Sequence, residues 1–125
     1  MTHIVTLSVG RDPLLLQTRG QVLLSDGYTV SSTLSVDQAL QQFVTGDFDL
    51  VILCHSIPLR ERERLADAIH NHSPNTPVVV VAAGYGSKDR AADAVIDNEP
   101  ATLLQELPKL LHKPPENYRN QRKEA

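Results

Sequence analysis

The stretch DLVILCHSIP, from Asp49 to Pro58, tells most about the fold of this chain. Its four consecutive apolar residues, Leu50 to Leu53, do not alternate with polar ones, which is typical of a strand buried on both faces of a sheet. Cys54, His55 and Ser56 follow at the end of this strand. In an open α/β sheet, ligands bind where the strands end. We therefore expect the functional residues to lie near Cys54.

Composition limits the classes of protein to which the chain can belong. One domain fits 125 residues, and the apolar fraction of 41% and charged fraction of 22% are typical of a globular protein. A net charge of −3 gives no strong attraction to nucleic acid or to an anionic membrane. A single cysteine excludes an internal disulfide and a multi-thiolate zinc site. Because the sequence also shows no secretory signal and no long apolar run, we expect a cytoplasmic protein without nucleic-acid or membrane partners.

Strand-like and helix-like patterns alternate along the whole chain. The predicted strands are His3 to Val9, Tyr28 to Thr33, Asp49 to Cys54, Val78 to Ala83 and Ala94 to Asp97. The predicted helices are Leu14 to Leu24, the segment between Ser35 and Gly46, Leu59 to His72, and Ala101 to Leu111. This alternation predicts a flavodoxin-like α/β fold: a five-stranded parallel sheet in the order 2-1-3-4-5, with helices on both faces.

Several helix boundaries are predicted from local signals. Asp12 followed by Pro13 is typical of a helix N-cap, and Ser35 with Gln38 has the spacing of a capping box. Pro108 lies inside the last predicted helix, which it should kink or shorten because proline removes an internal hydrogen bond. For the first helix, the apolar spacing predicts an inward stripe of Leu15, Thr18, Val22 and the flanking leucines.

The chain is predicted to contain one folded domain and a tail. Residues 1–112 carry all the predicted strands and helices. Residues 113–125 are polar, include two prolines and have no apolar periodicity. A segment of this composition cannot bury enough apolar surface to fold, so we expect it to be disordered.

Four segments in order resemble the receiver domain of bacterial two-component response regulators. They are SVGRDPLLLQTRGQVL, DGYTV, DFDLVILCHSIP and TPVVVVAAGYGS, and their separations are close to those of the family. The resemblance covers about residues 3–111. It implies the flavodoxin-like fold, a role in signal transduction through a two-component system or phosphorelay, and a protein partner in that pathway.

The resemblance also shows that the residues of receiver phosphorylation are missing. Receivers are phosphorylated on an aspartate that ends strand three, with an acidic pair for Mg²⁺, a Thr or Ser, and a Lys around it. The matching positions hold other residues here: Cys54 at the phosphoacceptor, Gly10 and Arg11 at the acidic pair, Asp12 at a third acid, Ala82 at the Thr or Ser, and Asn98 or Glu99 at the Lys. Mg²⁺ requires oxygen ligands, whereas Arg11 places a positive charge at this position.

We therefore expect an atypical receiver-like domain, a pseudo-receiver, that is not an enzyme and binds no metal or cofactor. It should act by protein–protein contact, as a monomer or a weak homodimer. The degenerate pocket should then be structural rather than catalytic, with Cys54 in the place of the phosphoacceptor.

Other functions stay open on the same fold. One is a small-molecule or anion binder, for which Arg11 at the start of a helix is a candidate, although the first turn lacks a phosphate-binding loop. Another is a redox-responsive thiol protein that uses Cys54. His55 is poorly placed to activate that thiol, because consecutive strand residues point to opposite faces. Phosphorylation of a different acceptor, such as Ser56 or Asp12, is a weaker alternative.

The chain departs from the family in two further places. Arg11 follows strand one and acidic residues follow strand five, which suggests a charge-swapped ion pair of Arg11 with Glu99 or Asp97. The alternative is that these are separate, solvated loop charges. Only residues 84–92 separate strands four and five. We therefore expect the helix that receivers have between these strands to be a single turn or missing.

Overall fold

A computed structural model describes residues 4–82 and 91–111 of the chain. The strands are β1 (Ile4–Val9), β2 (Tyr28–Thr33), β3 (Leu50–Cys54), β4 (Val78–Ala82) and β5 (Ala94–Asp97). The helices are α1 (Pro13–Ser25), α2 (Val36–Thr45), α3 (Leu59–His72) and α4 (Pro100–Leu111). All five strands are parallel and form one sheet in the order β2-β1-β3-β4-β5, which confirms the predicted fold.

The core consists of two apolar layers, one on each face of the sheet. On one face, α2 and α3 cover a cluster that includes Val51 and Leu53. On the other, α1 and α4 cover a cluster that includes Leu50 and Ile52. Successive residues of β3 therefore alternate between two buried faces, which explains why the strand is apolar without interruption. By the same alternation, Cys54 belongs to the face covered by α1 and α4, which we call the α1/α4 face.

Local capping signals account for the starts of α1 and α2. The Asp12 Oδ1 atom accepts hydrogen bonds of 3.0 and 3.3 Å from two backbone N–H groups in the first turn of α1, as predicted. Ser35 Oγ accepts from the Gln38 N–H at 3.2 Å, so half of the predicted capping box is present. The other half is replaced by Thr33, whose Oγ1 accepts from the Ser35 N–H at 3.3 Å.

Two predictions concern the last third of the chain. Pro108 does not shorten α4, which continues to Leu111. The predicted loss of a helix between β4 and β5 falls mainly on residues 83–90, which lie outside the described residues, as do residues 113–125 of the predicted tail. The described ranges contain four helices, and residues 91–93 before β5 are not helical. Within these ranges no helix combines the length and the apolar character needed to cross a bilayer.

Candidate functional site

The predicted site residues meet at one edge of the sheet, where the parallel strands reach their carboxyl ends. The register pairs Val9 with Leu53 in β1 and β3, and Cys54 with Val81 in β3 and β4. Ala82 pairs with Asp97 at the ends of β4 and β5. Gly10, Cys54, Ala82 and Asn98 therefore lie along this edge, which we call the C-terminal edge. The sheet brings together positions that are up to 88 residues apart in the sequence.

Gly10 packs directly against Cys54. A β-carbon placed on Gly10 would lie 2.9 Å from the Cys54 β-carbon and 3.3 Å from a methyl group of Leu16 in α1. Contacts below 3.0 Å between such atoms require the chain to shift. The end of β1 therefore has no room for a carboxylate side chain at position 10 unless β3 or α1 moves.

Arg11 forms an ion pair with the third helix. Its Nη2 atom lies 2.6 Å from Glu61 Oε1, and its backbone N–H donates to Ser56 Oγ at 3.0 Å. The predicted pairing of Arg11 with Glu99 or Asp97 is therefore wrong. In the sheet β3 lies next to β1, whereas β5 is three strand positions away, or roughly 14 Å at the usual spacing. The loop after β1 thus meets the loop after β3 and the start of α3.

Arg19, which the sequence reasoning did not single out, is the charged residue inside the site. It belongs to the inner face of α1 and is only 5% exposed. Its Nη2 atom donates to Asn98 Oδ1 at 2.9 Å. Nε and Nη1 are buried and form no regular hydrogen bond within the described part of the chain. Burying a guanidinium with two unsatisfied donor atoms costs free energy unless a neighbouring group compensates the charge.

The inward face of α1 differs from the predicted one. Its buried residues are Leu16, Arg19, Gly20 and Leu23, whereas the predicted stripe through Leu15, Thr18 and Val22 is partly or fully exposed. The prediction is therefore wrong for Leu15, Thr18 and Val22, whereas the flanking Leu16 and Leu23 are buried as predicted. Leucines lie on several sides of α1, so apolar spacing did not define one face. In addition, the buried face of α1 contains Arg19, so its sequence pattern is not uniformly apolar.

Cys54 is a fully buried thiol that interacts with Arg19 and Ser56. Burial raises the pKa of Cys54, but hydrogen bonding to Ser56 and Arg19, together with the positive charge of Arg19, outweighs burial and lowers the pKa overall. His55 is exposed, and its backbone N–H donates to the Val81 carbonyl at 3.1 Å. The activating group for the thiol is thus Arg19 rather than the neighbouring histidine.

Two residues complete the edge at the ends of β4 and β5. The Asn98 N–H donates to the Ala82 carbonyl at 3.0 Å, which extends the pairing of the two strands by one residue. The Asn98 side chain accepts from Arg19, so it faces α1. Glu99 is exposed and begins the turn into α4, where its Oε1 accepts from Thr102 at 3.4 Å. Asn98, not Glu99, is therefore the residue that reaches the interior of the site.

Two cavities open beside the site. One, of about 180 Å³, lies between α1 and α4 and has Arg19 and Asn98 among mainly apolar lining residues. The other, of about 410 Å³, lies between α1, β2 and α2, and its lining includes Leu34 and three glutamines but no charged residue. Among the residues that the structure describes, no group of three or more His, Cys, Asp or Glu side chains could hold a metal ion.

Comparison with known proteins relates this geometry to receiver domains. No protein-family model and no curated protein sequence matches the chain. A CheY-like receiver domain from Methanospirillum hungatei has a TM-score of 0.76 at 22% identity, with 93% of this chain and 99% of that chain covered. The chemotaxis response regulator CheY4 of Vibrio cholerae has a TM-score of 0.77 at 19% identity, with 87% and 99% covered.

The response regulator TrrA of Thermotoga maritima, solved with Mg²⁺ and BeF, has a TM-score of 0.75 at 22% identity. It covers 86% of this chain and 98% of its own. TrrA has also been solved in complex with the histidine kinase ThkA. At these identities the similarity shows the fold, and the chain therefore has the fold of a response-regulator receiver domain.

Proposed function

We propose that this chain is a pseudo-receiver that acts in bacterial signal transduction by binding a protein partner, without aspartyl phosphorylation. The observation that carries this proposal is the ion pair between Arg11 and Glu61 at the C-terminal edge. The Arg11 backbone N–H also donates to Ser56, two residues after Cys54, which stands where the resemblance implies a phosphoacceptor. The receiver fold supports the signalling role, and the chemistry of this edge argues against phosphorylation.

The end of β1 is unsuited to Mg²⁺. The cation prefers carboxylates within an octahedral set of oxygens. Here the carboxylate of Asp12 caps α1, and Arg11 brings a permanent positive charge to the same loop. Two unit charges of like sign about 4 Å apart repel by roughly 4 kcal/mol at an effective dielectric constant near 20. The carboxylate of Glu61 pairs with Arg11, so it is not free to bind Mg²⁺ either.

The alternative phosphoacceptors are engaged in structural contacts. Ser56 Oγ accepts the N–H of Arg11 and takes part in hydrogen bonding with Cys54. Asp12 caps the first turn of α1 through its Oδ1 atom. Phosphorylation of either residue would disrupt contacts that position the loops after β1 and β3.

Exposed apolar side chains support a protein as the partner. Leu14, Leu34 and Leu59 are all well exposed, and each follows the carboxyl end of a strand: β1, β2 and β3, respectively. They therefore surround the C-terminal edge. TrrA, which has the same fold, has been solved in a complex with a histidine kinase. We propose a signalling protein as the partner of this chain in the cytoplasm, with the chain acting as a monomer or weak homodimer.

The test is incubation of the full chain with Mg²⁺ and acetyl phosphate, followed by intact mass spectrometry. We expect no phosphoryl adduct on this chain, while TrrA, handled in parallel, serves as the comparison receiver. The variant Cys54→Asp places a carboxylate at the acceptor position and should also remain unmodified, because Arg11 still stands where the resemblance implies an acidic metal ligand. An adduct on a carboxylate of the natural chain would overturn the proposal. Retention of a flavin or nucleotide through purification would favour the small-molecule binder instead.

A further inference from the structure

Among the residues that the structure describes, no acidic side chain pairs with the buried Arg19. Only 5% of this residue is exposed, and its Nη2 atom donates to Asn98, which is neutral. The ion pairs of Glu61, Asp93 and Glu106 are formed with other residues. A guanidinium cannot lose its proton in a protein, and a buried charge is stable only when it is compensated. Some other group must therefore supply the negative charge.

Cys54 is the group that the structure places against this guanidinium. It is fully buried on the α1/α4 face, and the inner face of α1 covers it. Leu16 packs next to Gly10 and Cys54, and Arg19 lies one helical turn further along the same face. Burial raises the pKa of the Cys54 thiol, but Ser56 and Arg19 lower it overall, so both residues favour its ionised form.

We propose that Cys54 and Arg19 form a buried thiolate–guanidinium pair, and that Cys54 is a modification site for small hydroperoxides. This inference is independent of the proposed signalling role, because it concerns the chemistry of one thiol rather than a partner. It gives the orphaned donors of Arg19 a counter-ion. It also gives the Cys54 position, where the resemblance implies phosphorylation, a different covalent chemistry.

The chemical step needs only the hydroperoxide as a second reactant. The thiolate sulfur attacks one peroxide oxygen, an S–O bond forms, and the O–O bond breaks. Sulfur loses two electrons to the peroxide, and the leaving hydroxide or alkoxide takes a proton from solvent. The product is a sulfenic acid, or its sulfenate anion. An oxygen on the sulfur offers a new acceptor to a guanidinium that has two buried N–H donors without a regular partner.

A route for a small reagent ends at Arg19. The cavity of about 180 Å³ between α1 and α4 has Arg19 and Asn98 in its lining, whereas Cys54 is fully buried and is not a lining residue. A molecule the size of hydrogen peroxide fits this volume. A displacement of the Arg19 side chain then exposes the sulfur, so the same residue pairs with the thiolate and limits access to it.

The charged surroundings of the thiol are simple enough for a clear test. Among the described residues, Arg19 is the one charged group that acts on the thiol. The loop after β3 contributes the hydroxyl of Ser56, and the loop after β5 contributes Asn98, whose amide holds Arg19. The chain has a single cysteine, so every thiol signal reports on Cys54.

The first measurement is the thiolate absorbance of the full chain as a function of pH, with Cys54→Ser as the blank. We expect the natural chain to titrate below the ordinary cysteine pKa of about 8.5. Arg19→Met should raise the midpoint, and Arg19→Lys should keep most of the lowering because it keeps the charge. Arg64→Met is the matched control, since Arg64 is exposed on α3, and it should titrate like the natural chain.

The second measurement is reaction with hydrogen peroxide near neutral pH, trapping with dimedone, and intact mass. We expect one adduct on the natural chain and a lower rate for Arg19→Met, because its thiolate fraction falls by about tenfold for each unit by which the pKa exceeds the pH of the reaction. A natural-chain midpoint at or above the ordinary value would overturn the proposal. So would equal rates in folded Arg19→Met and Arg64→Met, or no adduct under conditions that oxidise the urea-unfolded chain. If Arg19→Met does not fold, the proposal is tested by the titration midpoints of the natural chain and of Arg19→Lys. Both should lie below the ordinary cysteine pKa, and a natural-chain midpoint at or above it overturns the proposal.

Discussion

Gly10 occupies a position where even one extra carbon would clash. A β-carbon there would lie 2.9 Å from that of Cys54, and both atoms are fixed directly to the backbone of neighbouring strands. We predict that Gly10→Ala lowers the free energy of unfolding by about 1–3 kcal/mol, the usual cost of overpacking a core. Urea denaturation of the variant and the natural chain measures this difference.

Gly20→Ala is the matched control for that measurement. Gly20 lies within α1, and a β-carbon there would meet only a methyl group of Val30 at 4.0 Å. Because alanine is the better helix former, this variant should gain about 0.5–1 kcal/mol. If Gly10→Ala is as stable as Gly20→Ala, the close packing between the ends of β1 and β3 is contradicted.

The ionisation of Cys54 should make stability depend on pH. Burial opposes ionisation, but the contacts with Ser56 and Arg19 prevail and lower the pKa of the folded state. A lowered pKa contributes stability that is present above the unfolded pKa and is lost as the pH falls through the folded pKa. The stability advantage of the natural chain over Cys54→Ser should therefore increase as the pH rises through the lowered pKa of the folded state toward the unfolded value of about 8.5.

Urea denaturation at several pH values measures this advantage. Tyr28 does not interfere, because burial and, to a lesser extent, Asp26 raise its pKa above an already high value, and both proteins contain it. A difference between the two proteins that stays constant or shrinks with rising pH would contradict the ionised thiol.

For single residues, the sequence predicted those contacts whose partners are close in the chain. Asp12 was recognised as an N-cap because its partners are two and three residues away. Arg19 was missed because its partner Asn98 is 79 residues away, and because an arginine within a helix is ordinarily exposed. The resemblance identified position 54 but not the guanidinium beside it, since that guanidinium comes from α1.

Among the connections between elements, the Arg11–Glu61 pair joins the loop after β1 to α3. The side chains are 50% and 30% exposed, so solvent screens the interaction. A double-mutant cycle with Arg11→Ala and Glu61→Ala should give a coupling of about 0.2–1 kcal/mol at low salt. The coupling should decrease at high salt. The same cycle between Arg11 and Glu99 should give none, and a larger coupling there than with Glu61 would contradict the structure.

Pro108 is a second test at the scale of elements. It lies at the ninth position of α4, where a proline removes a hydrogen bond and crowds the preceding turn. We predict that Pro108→Ala raises the free energy of unfolding by roughly 1–3 kcal/mol. Pro100→Ala should change it little, because Pro100 is the first residue of the helix, where proline is tolerated. Equal effects of the two substitutions on thermal unfolding would contradict this view of α4.

Most elements could be predicted because their limits are encoded locally. The observed β5, Ala94–Asp97, and α3, Leu59–His72, match the predicted bounds. The partner of Arg11 was not predicted, although the expected strand order already placed β1 beside β3. Charge complementarity had suggested the acidic residues after strand five as partners of Arg11. The distance between β1 and β5 in the sheet makes that ion pair unfavourable.

For the molecule as a whole, the order of apolar strands and amphipathic helices was sufficient to predict the fold. Structures only 19–22% identical to the chain share that fold, which shows how little sequence it requires. The function does not follow from the fold, because one fold supports many functions. What distinguishes this chain is the chemistry of the C-terminal edge, where Arg11 pairs with Glu61 and where Arg19 acts on the buried Cys54.

The central claim is that this edge does not form the metal-assisted phosphorylation pocket of a receiver. The most direct measurement is a titration of the full, ¹⁵N-labelled chain with Mg²⁺ and then beryllofluoride, followed by two-dimensional NMR. TrrA, solved with Mg²⁺ and BeF, is the comparison protein. We predict that the amide signals of residues 10–12 and 54–56 show no saturable shift, because Arg11 and the Cys54–Arg19 pair replace the ligands that both ions need. Saturable shifts confined to these residues would contradict the account.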